Sequence, residues 1–383
     1  MTVTNGRNLA GFAALINDSG KVIAEAFSTD LAAATRPTVY DSDGDVPFDA
    51  PKGSQAYVAS EGLLLKLTDA AWYVLDGSEP APWDYGGVIS AYFTGSTTSS
   101  YNYHLKINAV SFTSDGNAQN PADLVSGIVY AAGASSMTHG YTIGIDDLNA
   151  SEIVKMPFAN LSANNDVGGL YEKIIDPSTQ GSETDGYISG GGIPQVTQYT
   201  SSIRKLSYAT DTGSDTGSNL TTSHYGSSGA SSVTYGYVHG GVASSPGLNQ
   251  VVLDKFSFAN NATVTNVGIL SAAYHWGATS GHSSNTHGYA SGGASPDAGS
   301  WNVIQKYPFT SDANSVHVGF LTKSTTYATG ASSLDYGYVA GGFFPGASYM
   351  TDAIEKFAFV TDANATDVGN LIYGARHMAS SQV

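Results

Sequence analysis

The amino-acid sequence predicts an all-β protein. Its main part is a six-bladed β-propeller of about 50 residues per blade, closed by the C-terminal strand and preceded by a small β-rich N-terminal region. Three observations predict this fold. A Gly-Tyr strand motif recurs roughly every 50 residues. Glycine (45) and tyrosine (24) are frequent among the 383 residues, as expected for short strands joined by tight turns. A further partial repeat stands at the C-terminus.

The repeat is defined by four landmarks in a constant order. The clearest is the Tyr-Gly-Tyr-Val-Ala-Gly-Gly of residues 336–342, and its central tyrosine has counterparts at Tyr92, Tyr141, Tyr187, Tyr237 and Tyr289. The other landmarks are Gly-Ala-Ser-Ser at 330–333, Ile-Glu-Lys-Phe-Ala-Phe at 354–359 and Val-Gly-Asn-Leu at 368–371. Four landmarks in one order indicate an array of a single structural unit.

Each unit is predicted to contain four short strands. Gly-Ala-Ser-Ser is the first strand and Gly-Tyr-Val-Ala-Gly-Gly is the second. A proline-containing loop leads to the third, Ile-x-Lys-Phe-x-Phe, and Asp-Val-Gly-Asn-Leu begins the fourth. The paired glycines suit a turn in which no Cβ fits. Four strands in roughly 50 residues are typical of one propeller blade.

The two ends of the repeat region are complementary. Residues 376–381 repeat the first-strand motif, but no second strand follows them. The first unit, around Tyr92, lacks that motif in front of it. We therefore predict that the C-terminal strand completes the first blade, because joining the ends removes the open sheet edges of a linear array.

The extent of the repeat divides the chain into three regions. Residues 1–76 break the repeat and include a predicted three-stranded meander, with strands at 55–58, 63–67 and 71–75. Residues 77–83 form a linker containing Gly, Ser and Pro, and residues 84–383 form the propeller. A closed ring does not need residues 1–76 to fold, so we interpret them as an attachment region.

Composition and charge exclude several classes of partner. The net charge is −17, with 15 basic and 32 acidic residues, whereas nucleic acids and anionic membranes require cationic patches. We therefore expect no nucleic-acid partner. No apolar run approaches the length that spans a membrane, so we expect no membrane insertion either.

Two resemblances follow from these motifs. The Gly-Tyr-x-x-Gly-Gly strand, the period and the C-terminal closure resemble the kelch-type β-propeller, although the tryptophan of the kelch fourth strand is missing. Residues 336–342, 354–359 and 362–369 are similar to repeats of predicted virion proteins of marine tailed phages, and this similarity spans residues 85–383. The meander resembles small modules near the N-termini of phage fibre proteins.

The phage resemblance implies a structural protein located in the virion, a fibre or spike whose propeller contacts the host surface. It implies three kinds of partner: other virion proteins bound through the N-terminal region, a host-surface glycan or protein, and further copies of the chain in a homo-oligomer. Two alternatives stay open. One is a capsid-fibre, collar or decoration protein with a purely structural role, and the other is a secreted carbohydrate-active propeller enzyme.

No motif in the chain carries enzyme chemistry. There is no cysteine, and only four arginines, and no nucleophile elbow, phosphate loop or zinc-helix motif is present. Carboxylates are plentiful, but nothing singles out a glycosidase pair. A faint calcium-like pattern at 41–45 lacks the distal glutamate. We expect no catalytic residue, no cofactor and no metal site.

The loops between second and third strands are the predicted binding surface. They vary in sequence, and in a propeller they all emerge on one face, where binding residues usually lie. They carry aromatic residues suited to sugar rings, or alternatively to capping blade ends or contacting a sister subunit: Tyr101, Tyr103, Tyr199, Trp301, Phe343, Phe344 and Tyr349.

One lysine recurs in every third strand except that of the first unit, at Lys155, Lys205, Lys255, Lys306 and Lys356. Two readings are open. A partial ring of lysines would bind an anionic ligand, whereas pairing with acidic residues of neighbouring blades would be structural; we favour the pairing. His139 and His287 precede Gly-Tyr where other units have Asp or Tyr, which favours a surface or channel position over a ligand set.

Overall fold

The computed structural model describes four strands before residue 83 and most of the chain after it. The described residues are 38–40, 55–58, 63–67, 72–74, 87, 89–97, 104–146, 150–194, 198–243, 251–259, 264–271, 279–295, 299–344 and 349–383. The chain divides into two compact units, Met1–Pro82 and Trp83–Val383. No helix in the described residues is long and apolar enough to cross a membrane.

The N-terminal unit contains one four-stranded sheet. Its strands are β1 (Thr38–Tyr40), β2 (Gln55–Val58), β3 (Leu63–Leu67) and β4 (Trp72–Val74), in that order across the sheet. The three strands of the predicted meander are present and antiparallel. The sequence interpretation missed β1, which pairs parallel with β2. The calcium-like pattern at 41–45 lies outside the described residues.

The second unit is the predicted six-bladed propeller. Blade 1 contains β5 (Ser90–Thr94) and β6 (Asn108–Ser111). Blade 2 contains β7 (Val129–Ser135), β8 (His139–Ile145), β9 (Ser151–Pro157) and β10 (Asn165–Asp166), with a 3₁₀ turn at Leu161–Ala163. Blade 3 contains β11 (Ser178–Gly181), β12 (Asp185–Ser189), the hairpin β13 (Gly192–Ile193) and β14 (Gln198–Tyr199), then β15 (Ser202–Ser207) and β16 (Thr212–Asn219).

The last three blades follow the same plan. In blade 4, β17 (His224–Tyr225) pairs with β20 (Val242–Ala243), beside β18 (Ser228–Ser231), β19 (Tyr235–His239), β21 (Val252–Ser257) and β22 (Thr265–Ile269). Blade 5 contains β23 (Ser280–Ser283), β24 (His287–Ser291), β25 (Ala294–Ser295), β26 (Gly299–Ser300), β27 (Val303–Pro308) and β28 (Val316–Phe320). Blade 6 contains β29 (Thr329–Ser332), β30 (Tyr336–Ala340), β31 (Phe343–Phe344), β32 (Tyr349–Met350), β33 (Ala353–Ala358) and β34 (Thr366–Asn370).

The C-terminal strand closes the ring, as the sequence predicts. β35 (Ala379–Gln382) is the inner strand of blade 1 and pairs antiparallel with β5, with Ser381 opposite Tyr92. The main-chain N–H of Gly87 also donates to the carbonyl of Ser332 in blade 6 at 2.9 Å. The inner edge of β5 is thereby paired, and the two ends of the repeat region lie in one sheet.

The recurring tyrosine holds each blade to the next. Every copy packs against the aromatic residue at the end of the third strand of the following blade, as with Tyr289 and Phe359 at 4.7 Å between ring centroids. The Tyr289 hydroxyl donates to the Phe359 carbonyl at 3.1 Å. The preceding glycine is required because the blade's own third-strand ring covers it. A Cβ at Gly337 would overlap the Phe357 ring.

Four of the five repeated lysines pair with an aspartate of the following blade. The ion pairs are Lys155–Asp211, Lys255–Asp312, Lys306–Asp362 and Lys356–Asp115, with N–O distances of 2.5 to 2.9 Å. Lys205 instead lies 3.8 Å from Asp185 of its own blade. The favoured structural reading of the lysines is therefore confirmed for these four, and the ring does not present free cations.

The inner strands pack tightly around a narrow axial channel of about 100 Å³. Glycine at the middle of the strand permits this approach, because a Cβ at Gly281 would overlap the carbonyl of Gly229. Serine hydroxyls then link neighbouring strands. The Ser231 N–H donates to Ser283 Oγ at 2.9 Å, and the Ser283 N–H donates to Ser332 Oγ at 3.0 Å.

Candidate functional site at the channel mouth

The loops between second and third strands emerge on one face, together with the connectors that join the blades. Connectors pair with the segment that follows the second strand, as at Ile175–Gly192, Thr326–Phe343 and Thr97–Arg376. The glycines turn the chain there. Gly341 and Gly342 have φ of 66° and 106°, a region open to glycine but strained for other residues. This face is therefore built from backbone pairing.

At this face a residue at or near the start of five of the six inner strands adopts a left-handed conformation. These equivalent residues are Tyr130, Asp176, Gly226, Tyr327 and His377, with φ of 51°, 47°, 62°, 57° and 53°. We call this ring of residues the channel mouth. Left-handed backbone is rare for tyrosine and costs about 1–3 kcal/mol per residue, and such strain concentrates at functional sites.

An aspartate–histidine pair crosses the channel mouth. His377 Nδ1 lies 2.6 Å from Asp176 Oδ1, and the two side chains are only 6% and 8% exposed. The residues come from blades 1 and 3, so the pair spans blade 2. The His377 ring packs on Tyr327 at 4.2 Å and meets Tyr130 edge-on at 5.0 Å. Burial, and then the Asp176 charge, raise the pKa of Tyr327 to about 12, so its phenol is a neutral donor at pH 7.

A cleft of about 480 Å³ opens beside the channel mouth, between blades 2, 3 and 4. Its walls combine aromatic and aliphatic side chains with Gln198. Tyr130, Tyr199 and Tyr225 line it, and the rings of Tyr199 and Tyr225 lie 4.4 Å apart. Burial raises the pKa of Tyr225, so this phenol also stays neutral. The cleft offers ring faces for stacking and hydroxyls for hydrogen bonding. Tyr130 belongs to both the cleft and the channel mouth.

Arg376 lies next to His377 in the same connector. Its guanidinium stands over the Tyr327 ring at 5.6 Å and over the Phe343 ring at 5.5 Å. Its Nε is buried and finds no hydrogen-bond acceptor in the described part of the chain. Two aromatic faces therefore hold a planar cation at the channel mouth.

The structure separates the aromatic residues predicted for this surface. Tyr199 lines the cleft, and Phe343 packs under Arg376. Phe344 and Tyr349 contact each other at 5.7 Å in the hairpin of blade 6, where Tyr349 is 47% exposed. Trp301 is partly buried against Leu270 and Ala290, which matches the capping alternative. Tyr101 and Tyr103 lie outside the described residues.

Sequence reasoning missed the channel-mouth residues. A signal was present, because one position recurs three residues before Gly-Ala-Ser-Ser or its equivalent in the other units. The residues at this position differ between units: Tyr130, Asp176, Gly226, Tyr327 and His377. His139 and His287 lie at the opposite end of the blades, where each ring accepts or donates a hydrogen bond with the preceding threonine at 2.8 Å. Within the described residues, no group of three or more acidic, histidine or cysteine side chains could hold a metal ion.

Comparison with known proteins supports the fold. No protein-family description matches the chain, and no curated protein matches its sequence. The solved structure of YjhT is similar, with a TM-score of 0.56 over 67% of this chain and 88% of YjhT. The sequence identity is 12%, so the likeness shows a shared fold alone.

Proposed function

We propose that this chain is a virion protein, a fibre or spike without enzymatic activity, whose propeller binds a glycan on the host surface. The observation that carries the proposal is the aromatic cleft beside the channel mouth, with Tyr130, Tyr199 and Tyr225 in its wall. The virion location is supported by the resemblance of the repeats to phage virion proteins.

The physical case for a sugar ligand rests on shape and chemistry. A volume of about 480 Å³ suits a short oligosaccharide and lies in the range of small-molecule sites. Apolar sugar faces stack on aromatic rings, and neutral phenols can hydrogen-bond the hydroxyls at the sugar edge. The cleft is built on closed blades, so little ordering is needed on binding.

The binding test uses the full chain and polysaccharide prepared from the host envelope, measured by calorimetry. We expect the Tyr199→Ala, Tyr225→Ala double variant to weaken binding at least tenfold, because both stacking faces are lost. The matched control is Tyr235→Ala, an exposed tyrosine at the opposite end of the second strand. Equal affinity of the double variant and the wild type would reject the cleft as the site.

The location of the chain requires a separate test. A chain lacking residues 1–82 is compared with the full chain for incorporation into particles, because we assign attachment to that unit. Full-length protein labelled at a fibre or spike supports the proposal. Labelling at the capsid or collar, without host binding, would instead favour the decoration-protein alternative.

A carbohydrate-active enzyme is the second candidate, and one observation favours it. The Asp176–His377 pair, with the neutral phenol of Tyr327 against the imidazole, could move a proton at a bound sugar. The test incubates the protein with host polysaccharide and measures new reducing ends. Release of reducing ends that Asp176→Asn abolishes would place the protein among enzymes. No release by the wild type would support the binding role.

A further inference from the structure

We propose that Arg376 is an anion-binding residue and that the channel mouth selects a sugar bearing a carboxylate or sulfate group. This inference rests on the proposed glycan binding and deepens it by naming the charge of the ligand. Its basis is the environment of Arg376, which differs from that of the other arginine in the described residues.

The other arginine, Arg204, is neutralised inside the protein. It is completely buried and forms an ion pair with Glu172. Arg376 forms no ion pair with the described residues, and its buried Nε has no hydrogen-bond acceptor there. A guanidinium has five N–H donors, so this one keeps its hydrogen-bonding capacity for a ligand.

Nearby carboxylates do not supply the missing partner. Asp176, the acidic residue of the channel mouth, is engaged by His377 at 2.6 Å. The net charge of the chain is −17, so acidic residues are abundant, yet none of the described ones pairs with Arg376. An isolated, partly buried cation is costly unless a counter-charge arrives, and an anionic ligand would provide it.

The aromatic neighbours orient the guanidinium. The guanidinium carbon lies over the Tyr327 ring at 5.6 Å and over the Phe343 ring at 5.5 Å from the centroids, so two rings restrict its position. A planar guanidinium fork held in place suits bidentate contact with carboxylate or sulfate oxygens. Tyr327 is also one of the left-handed residues, so strained backbone positions one of the two rings.

The site is continuous with the cleft. Tyr130 lines the cleft and also contacts His377, the neighbour of Arg376 in the chain. One ligand can therefore stack a neutral sugar ring on Tyr199 and Tyr225 while its acidic group reaches toward Arg376. Carboxylated and sulfated sugars share this chemistry, and the experiment separates them.

The test titrates the full chain with one galactan oligosaccharide in neutral, sulfated and uronic-acid forms. In the wild type we expect at least one anionic form to bind about tenfold to a hundredfold tighter than the neutral form. Arg376→Gln should reduce the anionic affinity to the neutral value and leave neutral binding unchanged. Arg376→Lys should keep part of the preference, since it keeps the charge but loses the fork.

The charge-matched control is Lys106→Gln, which removes a cation of the same blade that pairs with Asp123 at 2.9 Å. It should keep the anionic preference. An anionic preference that survives Arg376→Gln would overturn the proposal. If Arg376→Gln does not fold, a wild-type preference retained in full by Arg376→Lys would overturn the bidentate role, and a partial loss would support it.

A second measurement separates this proposal from the proposed glycan function. Inorganic sulfate and acetate are titrated into the protein, and the unfolding temperature is recorded. A rise in the wild type that is absent in Arg376→Gln supports the anion site even when no oligosaccharide binds, in which case glycan binding alone fails. No rise with either ion, together with equal binding of neutral and charged oligosaccharides, would reject the anion site while glycan binding stands.

Discussion

Three buried histidines should make the propeller unstable in mild acid. His224, His239 and His282 lie on blades 4 and 5 and are at most 1% exposed. Burial lowers the pKa of His224 and His282 to about 4. It lowers the pKa of His239 to about 3, where the nearby His282 adds to the effect. All three are therefore neutral in the folded protein at pH 7.

The loss of stability begins when the pH falls below the pKa of a histidine in the unfolded chain, about 6.5. Each folded-state pKa is depressed, so the unfolded chain takes up protons first, and stability is lost as the pH falls. At pH 5 the unfolded histidine is almost fully protonated while the folded one is not, which costs about 2 kcal/mol per residue. Three residues cost roughly 6 kcal/mol, a large part of the 5–15 kcal/mol that stabilises a typical protein.

The surroundings show why these residues resist protonation. Neither ring nitrogen of His224 has a hydrogen-bond partner among the described residues, and the same holds for His239 Nε2. His282 is bonded at both nitrogens, to the Ala331 carbonyl at 3.1 Å and to Ser291 Oγ at 2.9 Å. A proton added to any of the three would place a charge without a carboxylate partner in the core.

The assay is urea unfolding at pH 7.5 and pH 5. Between pH 7.5 and pH 5 we expect the unfolding free energy of His239→Asn to fall by about 2 kcal/mol less than that of the wild type, because one titrating group is gone. An asparagine can replace the hydrogen bond between His239 Nδ1 and Ser228 Oγ. Asp254 and Glu355 work in the opposite sense, since burial raises the pKa of each. The comparison between variants cancels their contribution.

The matched control is His317→Asn, which removes an exposed histidine from the outer strand of blade 5. It tests whether the loss of any histidine has the same effect. Equal pH dependence of the wild type and His239→Asn would refute the reasoning, as would a wild type that is equally stable at both pH values.

Three further predictions concern the ring itself, each measured by urea unfolding. Deleting residues 375–383 removes the inner strand of blade 1 and bares two sheet edges, so stability should fall by several kcal/mol; unchanged unfolding would contradict the closure. Gly281→Ala should cost at least about 2 kcal/mol, because its methyl group overlaps the Gly229 carbonyl; a neutral effect would mean that the inner strands can separate. Tyr289→Phe should cost about 1–3 kcal/mol, because it leaves the Phe359 carbonyl without its donor; a smaller loss would show that this bond adds little.

The fold could be predicted from the sequence because the chain repeats one structural unit. A glycine–tyrosine motif in register with three other landmarks places strands and turns, because strand alternation and glycine turns are local properties. Six copies of one unit then imply a ring. The additional first-strand motif at residues 376–381 implies that the C-terminal strand closes it. The lysine pairing was also foreseeable, since equivalent positions on adjacent blades repeat the same contact. β1 was missed because it lies outside the repeat, so no other copy marked it as a strand.

The candidate site depended on the tertiary structure. Asp176 and His377 are far apart in the chain and come from blades that are not neighbours, so only the closed ring brings them to 2.6 Å. The partners of Arg376 among the described residues are two aromatic rings and not a carboxylate, and the spacing of residues in the sequence does not show this. For Trp301 the sequence left binding and capping both open, and only the structure shows its packing against Leu270 and Ala290. Local pattern determined the blades, whereas the rotation of each blade about the common axis decided which side chains meet at the channel mouth.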